Sequence, residues 1–270
     1  SASVDTKLNQ LFSNYNSGLP TSAGLLVNSD KSGDSKFKTT QVYLSLGYIK
    51  KLTADSTHLI SFAIQPGFTN KNFNTSALTF DSQFDGVRYN SALATNENFA
   101  NTSSNFFDVG FGAVYQWEKT PRKKLNIGFA SFHLNTPKQT FYGTTNRLAM
   151  KNNLSAIAEL PVTSNISLLP SFLYQQQGKF HETMLGMFAK FYLTPIDQTT
   201  TAISLGVFNR TKDAWILVAN LYYKNFNIGA SYDINSSALS SVTNKKGAFE
   251  LSVGYIFKKS VPVLKQRVYP

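Results

Sequence analysis

The chain has 270 residues, of which 42% are hydrophobic and only 15% are charged, against roughly 25% charged in ordinary soluble domains. It has no cysteine and no run of about 18 uncharged apolar residues, which excludes a membrane-spanning helix, disulfide bonds and thiolate metal sites. The formal charge of +11 comes from basic residues scattered through turns and the tail, so acidic protein surfaces and anionic lipid head groups are expected contacts and nucleic acid is not.

Alternating apolar and polar residues, interrupted by turn residues, run through the whole chain. Helical periodicity is almost absent, so the pattern predicts an all-β protein. Thirteen strands are predicted, near residues 1–5, 22–29, 36–52, 57–70, 105–117, 124–134, 148–160, 165–175, 183–193, 200–209, 213–223, 225–234 and 247–257.

The strand near 105–117 separates its two faces most clearly. Phe107 and Phe111 belong to an oily row, whereas Asp108 and Gly112 belong to a row of small or polar residues. The same split recurs in several further strands. A soluble sandwich would coat its second face with Lys, Glu and Thr, whereas Gly, Ser, Asn and Gln suit the lumen of a barrel. The pattern predicts a transmembrane outer-membrane antiparallel β-barrel of about 14 strands, about 13 of them in this chain.

Connection lengths favour the same architecture. Short turns are predicted at one end of the strands and long polar loops at the other, the latter near 71–104, 135–146 and 235–246. The segment 6–20 is an exception, because it is long and falls on the short-turn side. An odd number of strands would leave an unpaired edge in the bilayer, so a further N-terminal strand is predicted. Residues 1–259 are expected to form the barrel and 260–270 a periplasmic tail.

Two further groups of residues fit a barrel. The acidic residues Asp108, Asp233 and Glu250 are predicted to face the lumen, where pairing with Lys or Arg is favoured over an ion or partner contact. Aromatic residues at the ends of the oily rows fit an interfacial girdle better than simple core packing. The girdle residues are Tyr48, Trp117, Tyr174, Tyr192, Tyr223 and Tyr255.

Ordered segments run along nearly the whole chain, at 1–5, 23–34, 37–40, 170–173, 228–237 with Leu239-Ser240, and 247–259. Together they make the sequence resemble the PorP/SprF family of outer-membrane proteins of the type IX secretion system of Bacteroidota. Family members usually begin with a further segment containing an Asn-Pro-Ala-like stretch, which this chain lacks. The resemblance implies a barrel of about fourteen strands that helps present or anchor secreted proteins, including gliding adhesins, through their C-terminal domains.

The sequence contains no recognisable catalytic or metal-binding pattern, so an enzyme is not predicted. His58, His133 and His181 lie on separate strands or loop edges without a second ligand at metal spacing, and each is interpreted as an interfacial polar residue. The sequence has no Gly-x-Ser-x-Gly elbow and no phosphate-cradling loop. No catalytic, cofactor or metal site is predicted.

Aromatic and arginine side chains on the long loops are the candidate partner-binding residues, because such side chains are frequent binding anchors. Packing of the loops over the barrel mouth explains them equally well. The candidates are Phe73, Phe80, Phe84, Arg88, Tyr89, Phe141 and Tyr142.

The functional hypothesis is a non-enzymatic barrel of the type IX secretion system that binds, anchors or presents secreted surface proteins. Its expected partners are the C-terminal domain of a secreted protein or adhesin, other type IX secretion components, and outer-membrane lipid or lipopolysaccharide. A porin-like channel for small solutes is the alternative, because it shares the barrel pattern. A lipid-modifying enzyme is disfavoured by the missing catalytic constellation.

Overall fold

A computed structural model describes residues 1–8, 21–75, 78–97, 101–141, 146–194, 201–237 and 247–257. Thirteen strands form one sheet in the order β1-β2-β3-β4-β5-β6-β9-β10-β11-β12-β13-β14-β15, and β7 and β8 form a separate two-stranded sheet. The strands are β1 (Ala2–Lys7), β2 (Ser22–Ser32), β3 (Phe37–Lys51), β4 (His58–Asn72), β5 (Ser103–Thr120), β6 (Lys123–Phe132), β7 (Lys138–Gln139), β8 (Asn146–Arg147), β9 (Lys151–Pro161), β10 (Ile166–Gln177), β11 (Phe180–Tyr192), β12 (Thr201–Arg210), β13 (Ala214–Tyr223), β14 (Phe226–Asn235) and β15 (Phe249–Tyr255).

The predicted all-β class and the thirteen strands of the main sheet are confirmed. Strand bounds differ by a few residues, as in β11, which begins at Phe180 because Gly178 adopts a φ of +58° in a tight turn. The short pair β7 and β8 was not predicted, since two-residue strands carry no readable alternation. A single 3₁₀ turn spans Asp81–Gln83. In the described part of the chain, no helix has the length and apolarity needed to cross a membrane.

Connections at the two ends of the strands differ in length. Four connections at one end, here called the short-turn end, are short and cover 52–57, 121–122, 162–165 and 224–225; the connections 8–21 and 193–200 at the same end fall mostly outside the described residues. The opposite end, called the long-loop end, carries the connections 73–102, 133–150 and 236–248 beside three tight turns. The predicted sorting of long loops to one end is therefore confirmed for these connections. The exceptional segment near 6–20 falls mostly outside the described residues, as does the tail 260–270.

The chain forms two compact units, and the first comprises residues 1–118, 126–155 and 174–181. Within it, β2 to β5 pair antiparallel, so that Tyr43 lies opposite Gly67 and Gly67 opposite Asp108. The two sides of these strands differ sharply. Phe107 is 55% exposed and belongs to an outer face of exposed apolar side chains, whereas Asp108 is 1% exposed on the inner face.

The second unit comprises residues 119–125, 156–173 and 182–270. Its strands β11 to β15 pair antiparallel over their described lengths. The same alternation holds here, because Leu205 is 53% exposed on the outer face and Ser204 is 2% exposed on the inner face. The oily rows predicted from the sequence are therefore the exposed rows in both units. Apolar side chains left in contact with the surroundings along whole strands are typical of a sheet that faces lipid.

The strand order runs from β1 to β15, and a fourteenth strand remains a prediction. The assignment of residues 1–259 to one barrel domain also remains a prediction.

Candidate partner-binding surface

Residues 78–97 of the long connection between β4 and β5 fold around Gln83, which is 5% exposed. The Gln83 side-chain carbonyl accepts the backbone N–H of Phe80 at 3.2 Å, and its amide donates to the backbone carbonyl of Leu93 at 3.3 Å. Ser82 donates its hydroxyl to the carbonyl of Thr95 at 2.5 Å. These bonds use the polar groups of the loop internally, so the loop has a defined structure of its own.

A tight turn, here called the tip hairpin (residues 84–89), projects from this loop. Phe84 and Tyr89 pair as a β-bridge, and the N–H of Asp85 donates to the carbonyl of Arg88 at 3.1 Å. The Asp85 carboxylate accepts the N–H groups of Val87 and Arg88, each at 2.9 Å. The backbone N–H groups of Arg88 and Val87 thereby hold the pKa of Asp85 below its ordinary value of 3.8.

The tip hairpin displays apolar side chains at its surface. Val87 is 87% exposed, Phe84 58% and Tyr89 48%, and the Arg88 side chain is also exposed. A cluster of exposed apolar and aromatic groups on a preorganised turn binds a partner at little entropic cost. Of the predicted residues, Phe84, Arg88 and Tyr89 are brought together here. Val87 was missed, because a single valine in a polar loop carries no signal in the sequence.

Two other predicted residues form a packed cluster instead. Phe141 lies against Phe73, with ring centroids 5.2 Å apart, and against Phe37 at 6.1 Å. All three are only partly exposed, at the long-loop end of the first unit. Here the packing alternative accounts for the aromatic residues. Tyr142 lies outside the described residues.

A polar network occupies the inner face of the first unit. The Tyr43 hydroxyl donates to Asp108 Oδ2 at 2.9 Å, and His133 Nδ1 lies 2.7 Å from the same oxygen. Gln41 donates to the Tyr43 hydroxyl oxygen at 3.2 Å, and Asn28 donates to Gln41 at 3.1 Å. The carboxylate of Asp108 is thus satisfied by tyrosine and histidine, whereas the sequence favoured Lys or Arg.

The histidines do not assemble a catalytic or metal site within the described residues. His58 Nδ1 lies 2.7 Å from the Tyr115 hydroxyl, and the His181 ring stacks on Tyr174 at 6.4 Å. The Asp108–His133 pair resembles half of a hydrolase triad. Over the described ranges, no serine hydroxyl is hydrogen-bonded to His133 and no group of His, Asp and Glu has the arrangement of a metal site.

Charged groups on the inner face of the second unit concentrate near its ends. Arg210 contacts three carboxylates at the long-loop end, with its guanidinium 2.9 Å from Asp213, 3.1 Å from Asp233 and 3.8 Å from Glu182. The prediction that Asp233 pairs with a basic residue is confirmed. Glu250 is exposed and has no ion pair among the residues that the structure describes.

One girdle prediction was wrong. Tyr192 is 8% exposed on the inner face, where its hydroxyl donates to Glu159. The sequence placed it at the end of an oily row, but the observed register sets it opposite the buried Ala202. Tyr48, Tyr223 and Tyr255 are 40–48% exposed at strand ends, as an interfacial girdle requires.

An all-β sheet with exposed apolar rows, a polar inner face and ordered loops at one end defines a membrane protein of the β-strand class. The model of one family, described as type IX secretion system membrane protein PorP/SprF, matches residues 1–255. The chain belongs to the PorP/SprF family, which confirms the resemblance seen in the sequence and makes it a membrane component of the type IX secretion system. No curated protein matches the chain.

Proposed function

We propose that this chain is a non-enzymatic outer-membrane β-barrel that holds a secreted surface protein, such as an adhesin, through that protein's C-terminal domain. It also contacts periplasmic secretion or gliding components and the surrounding outer-membrane lipid or lipopolysaccharide. Family membership supports a role within the secretion system. The exposed apolar rows support a location in lipid, because surfaces of that extent are costly in water.

The observation that carries partner binding is the tip hairpin. Val87, Phe84 and Tyr89 stay exposed although the turn that bears them is fixed by Asp85. Fixing apolar groups in an exposed position has a stability cost and gives no packing in return, which is typical of a binding surface. Phe80, at the base of the same loop, belongs to the supporting structure, since its N–H bonds Gln83.

Affinity purification from outer membranes, followed by mass spectrometry, tests this proposal. The wild-type protein is expected to retain a secreted protein with a C-terminal sorting domain. Val87→Glu should reduce its recovery at least about tenfold, because burying an unpaired carboxylate in an apolar interface costs more than about 1.4 kcal/mol. Equal recovery with Val87→Glu, or no secreted protein with the wild type, would contradict the proposal.

A matched control is Val162→Glu. Val162 is 61% exposed in the turn between β9 and β10 at the short-turn end, so the same charge change there should leave capture of the surface protein unchanged. The porin-like alternative makes a different prediction. Purified protein without any partner would then give steady ion conductance in planar bilayers.

A further inference from the structure

Three cations on the inner face of the second unit surround a single carboxylate at the short-turn end. Lys124 Nζ lies 3.4 Å from Glu159 Oε2, and the Tyr192 hydroxyl donates to Glu159 Oε1. Glu159 is 2% exposed, and both of its oxygens therefore have partners. The other two cations of this group, Arg122 and Lys190, form no ion pair with a carboxylate among the residues that the structure describes.

Arg122 is held by neutral acceptors. Its guanidinium donates to the Ser167 hydroxyl at 3.0 Å and to the carbonyls of Thr163 at 2.7 Å, Ile166 at 2.5 Å and Ser164. Its guanidinium carbon also lies over the Tyr192 ring, 4.9 Å from the centroid. Carbonyl oxygens satisfy its hydrogen bonds but cancel no charge, and Arg122 is only 8% exposed.

Lys190 lies between two aromatic rings. Its ammonium is 4.8 Å from the Tyr192 centroid and 4.6 Å from the Tyr222 centroid. The fully buried Ala202 lies between the two tyrosines in the register, and its small side chain leaves room for the lysine. Over the described residues, no carboxylate comes within 4.0 Å of the Lys190 ammonium. Ring faces attract a cation weakly and leave it able to bind an anion.

The formal charges of this cluster are three positive and one negative, a net +2. The Arg210 cluster at the opposite end has three carboxylates and one guanidinium, a net −2. The eight steps along β12 from Ala202 to Arg210 separate the two by about 27 Å. An anion therefore meets net negative charge at the Arg210 cluster and net positive charge at the Lys190 cluster.

We propose that Lys190, with Tyr192, Tyr222 and Arg122 around it, binds a carboxylate of an acidic protein segment that reaches the inner face from the short-turn end. The net positive charge of the cluster favours an anion, because the single described carboxylate of Glu159 is shared among three partly buried cations. Lipid phosphates belong to the other side of these strands, where Ile203, Leu205 and Leu221 are exposed. The site uses none of the tip-hairpin residues, so it goes beyond the proposed function and can fail independently of it.

Fluorescent hexaglutamate, added to the purified full-length protein in zwitterionic detergent at low salt, is the probe. Wild type should bind it in an anisotropy titration, and Lys190→Gln should weaken binding at least about tenfold, the effect of losing one charge-assisted hydrogen bond. Lys224→Gln is the matched control, because Lys224 also lies over a tyrosine ring, that of Tyr223 at 5.2 Å, but in an exposed turn. That variant should bind within about twofold of wild type.

Thermal unfolding gives a second readout. Lys190→Gln removes one of three partly buried positive charges that share Glu159, so its Tm without peptide should equal or exceed that of the wild type. Hexaglutamate should raise the Tm of the wild type but not of Lys190→Gln. If Lys190→Gln fails to fold, Tyr222→Leu tests the same site by removing one of the two rings beside Lys190. Equal peptide binding by wild type and Lys190→Gln would overturn the proposal, as would displacement of the peptide by inorganic phosphate at an equal concentration.

Discussion

Tyr43 donates its hydroxyl to Asp108 across the bare backbone of Gly67. The three residues lie opposite one another on β3, β4 and β5, and a Cβ at Gly67 would overlap the Tyr43 ring. The hydroxyl reaches the carboxylate at 2.9 Å only because the middle strand has no side chain there. The glycine thus allows a buried acid on one strand to find its partner two strands away.

Gly67→Ala is therefore expected to destabilise the protein by about 2 kcal/mol, since Tyr43 must move and leave Asp108 with one partner fewer. Urea unfolding in lipid vesicles measures the change in free energy. Gly112→Ala is the control, because a Cβ there would meet no heavy atom nearer than 3.7 Å. Equal losses in the two variants would show that the close approach of Tyr43 is unimportant.

Arg122→Lys is expected to cost roughly 2 to 3 kcal/mol, because one ammonium cannot replace a guanidinium that bonds Ser167 and three carbonyls. The same urea unfolding measurement applies. Arg147→Lys is the comparison, since Arg147 is exposed and has a single long bond, 3.4 Å, to the carbonyl of Thr136. A loss no larger than that of Arg147→Lys would contradict the structural role given to Arg122.

The tip hairpin should loosen in acid. The pKa of Asp85 is held below 3.8 by two backbone N–H groups, so the bonds are fully present above that pH and are lost as pH falls through the lowered pKa. NMR titration of the Val87 and Arg88 amides should give a midpoint below 3.8. Asp85→Ala should abolish that transition. A midpoint at or above 3.8 in the wild type would mean that the carboxylate does not hold the turn.

Leu205→Arg tests the outer face in the second unit. Leu205 lies at the middle of β12 with 53% exposure, and arginine at the midplane of a bilayer costs about 2 to 4 kcal/mol on a lipid-facing strand. Tyr223→Arg, at the end of β13, should cost only about 0 to 1 kcal/mol because the charge reaches the interface. Unfolding in vesicles compares the two, and equal costs would argue against a depth-dependent lipid environment.

Much of the fold is readable from the sequence because alternation is a local property. Phe107 and Asp108 are neighbours on β5, so their side chains point to opposite faces of the sheet. This holds whichever strand pairs with β5. The thirteen strands were located for the same reason. Tyr192 shows the limit, since position at a strand end does not tell which face a tyrosine occupies, and only the register with Ala202 does.

The inner-face clusters were not predicted, because their members are far apart in the chain. Tyr43 and Asp108 are separated by 65 positions. Many other tyrosines and acidic residues also alternate onto the same face of their strands, so the alternation does not single out this pair. Arg122 follows Pro121 in a short turn, where arginine is usually solvated, and nothing local indicates that Ser167 and the turn near 163–166 lie beside it. Such pairings depend on register between distant strands, which a single sequence leaves open.

The exposed apolar rows of the sheet are expected to face lipid along β12. Because the chain has no cysteine, single cysteines at positions 202 to 208 of β12 can each carry a spin label in vesicles. Spin labels at odd positions should be highly accessible to oxygen and poorly accessible to a water-soluble nickel reagent. Labels at even positions should not show this combination. High accessibility of positions 203, 205 and 207 to the nickel reagent would contradict the account.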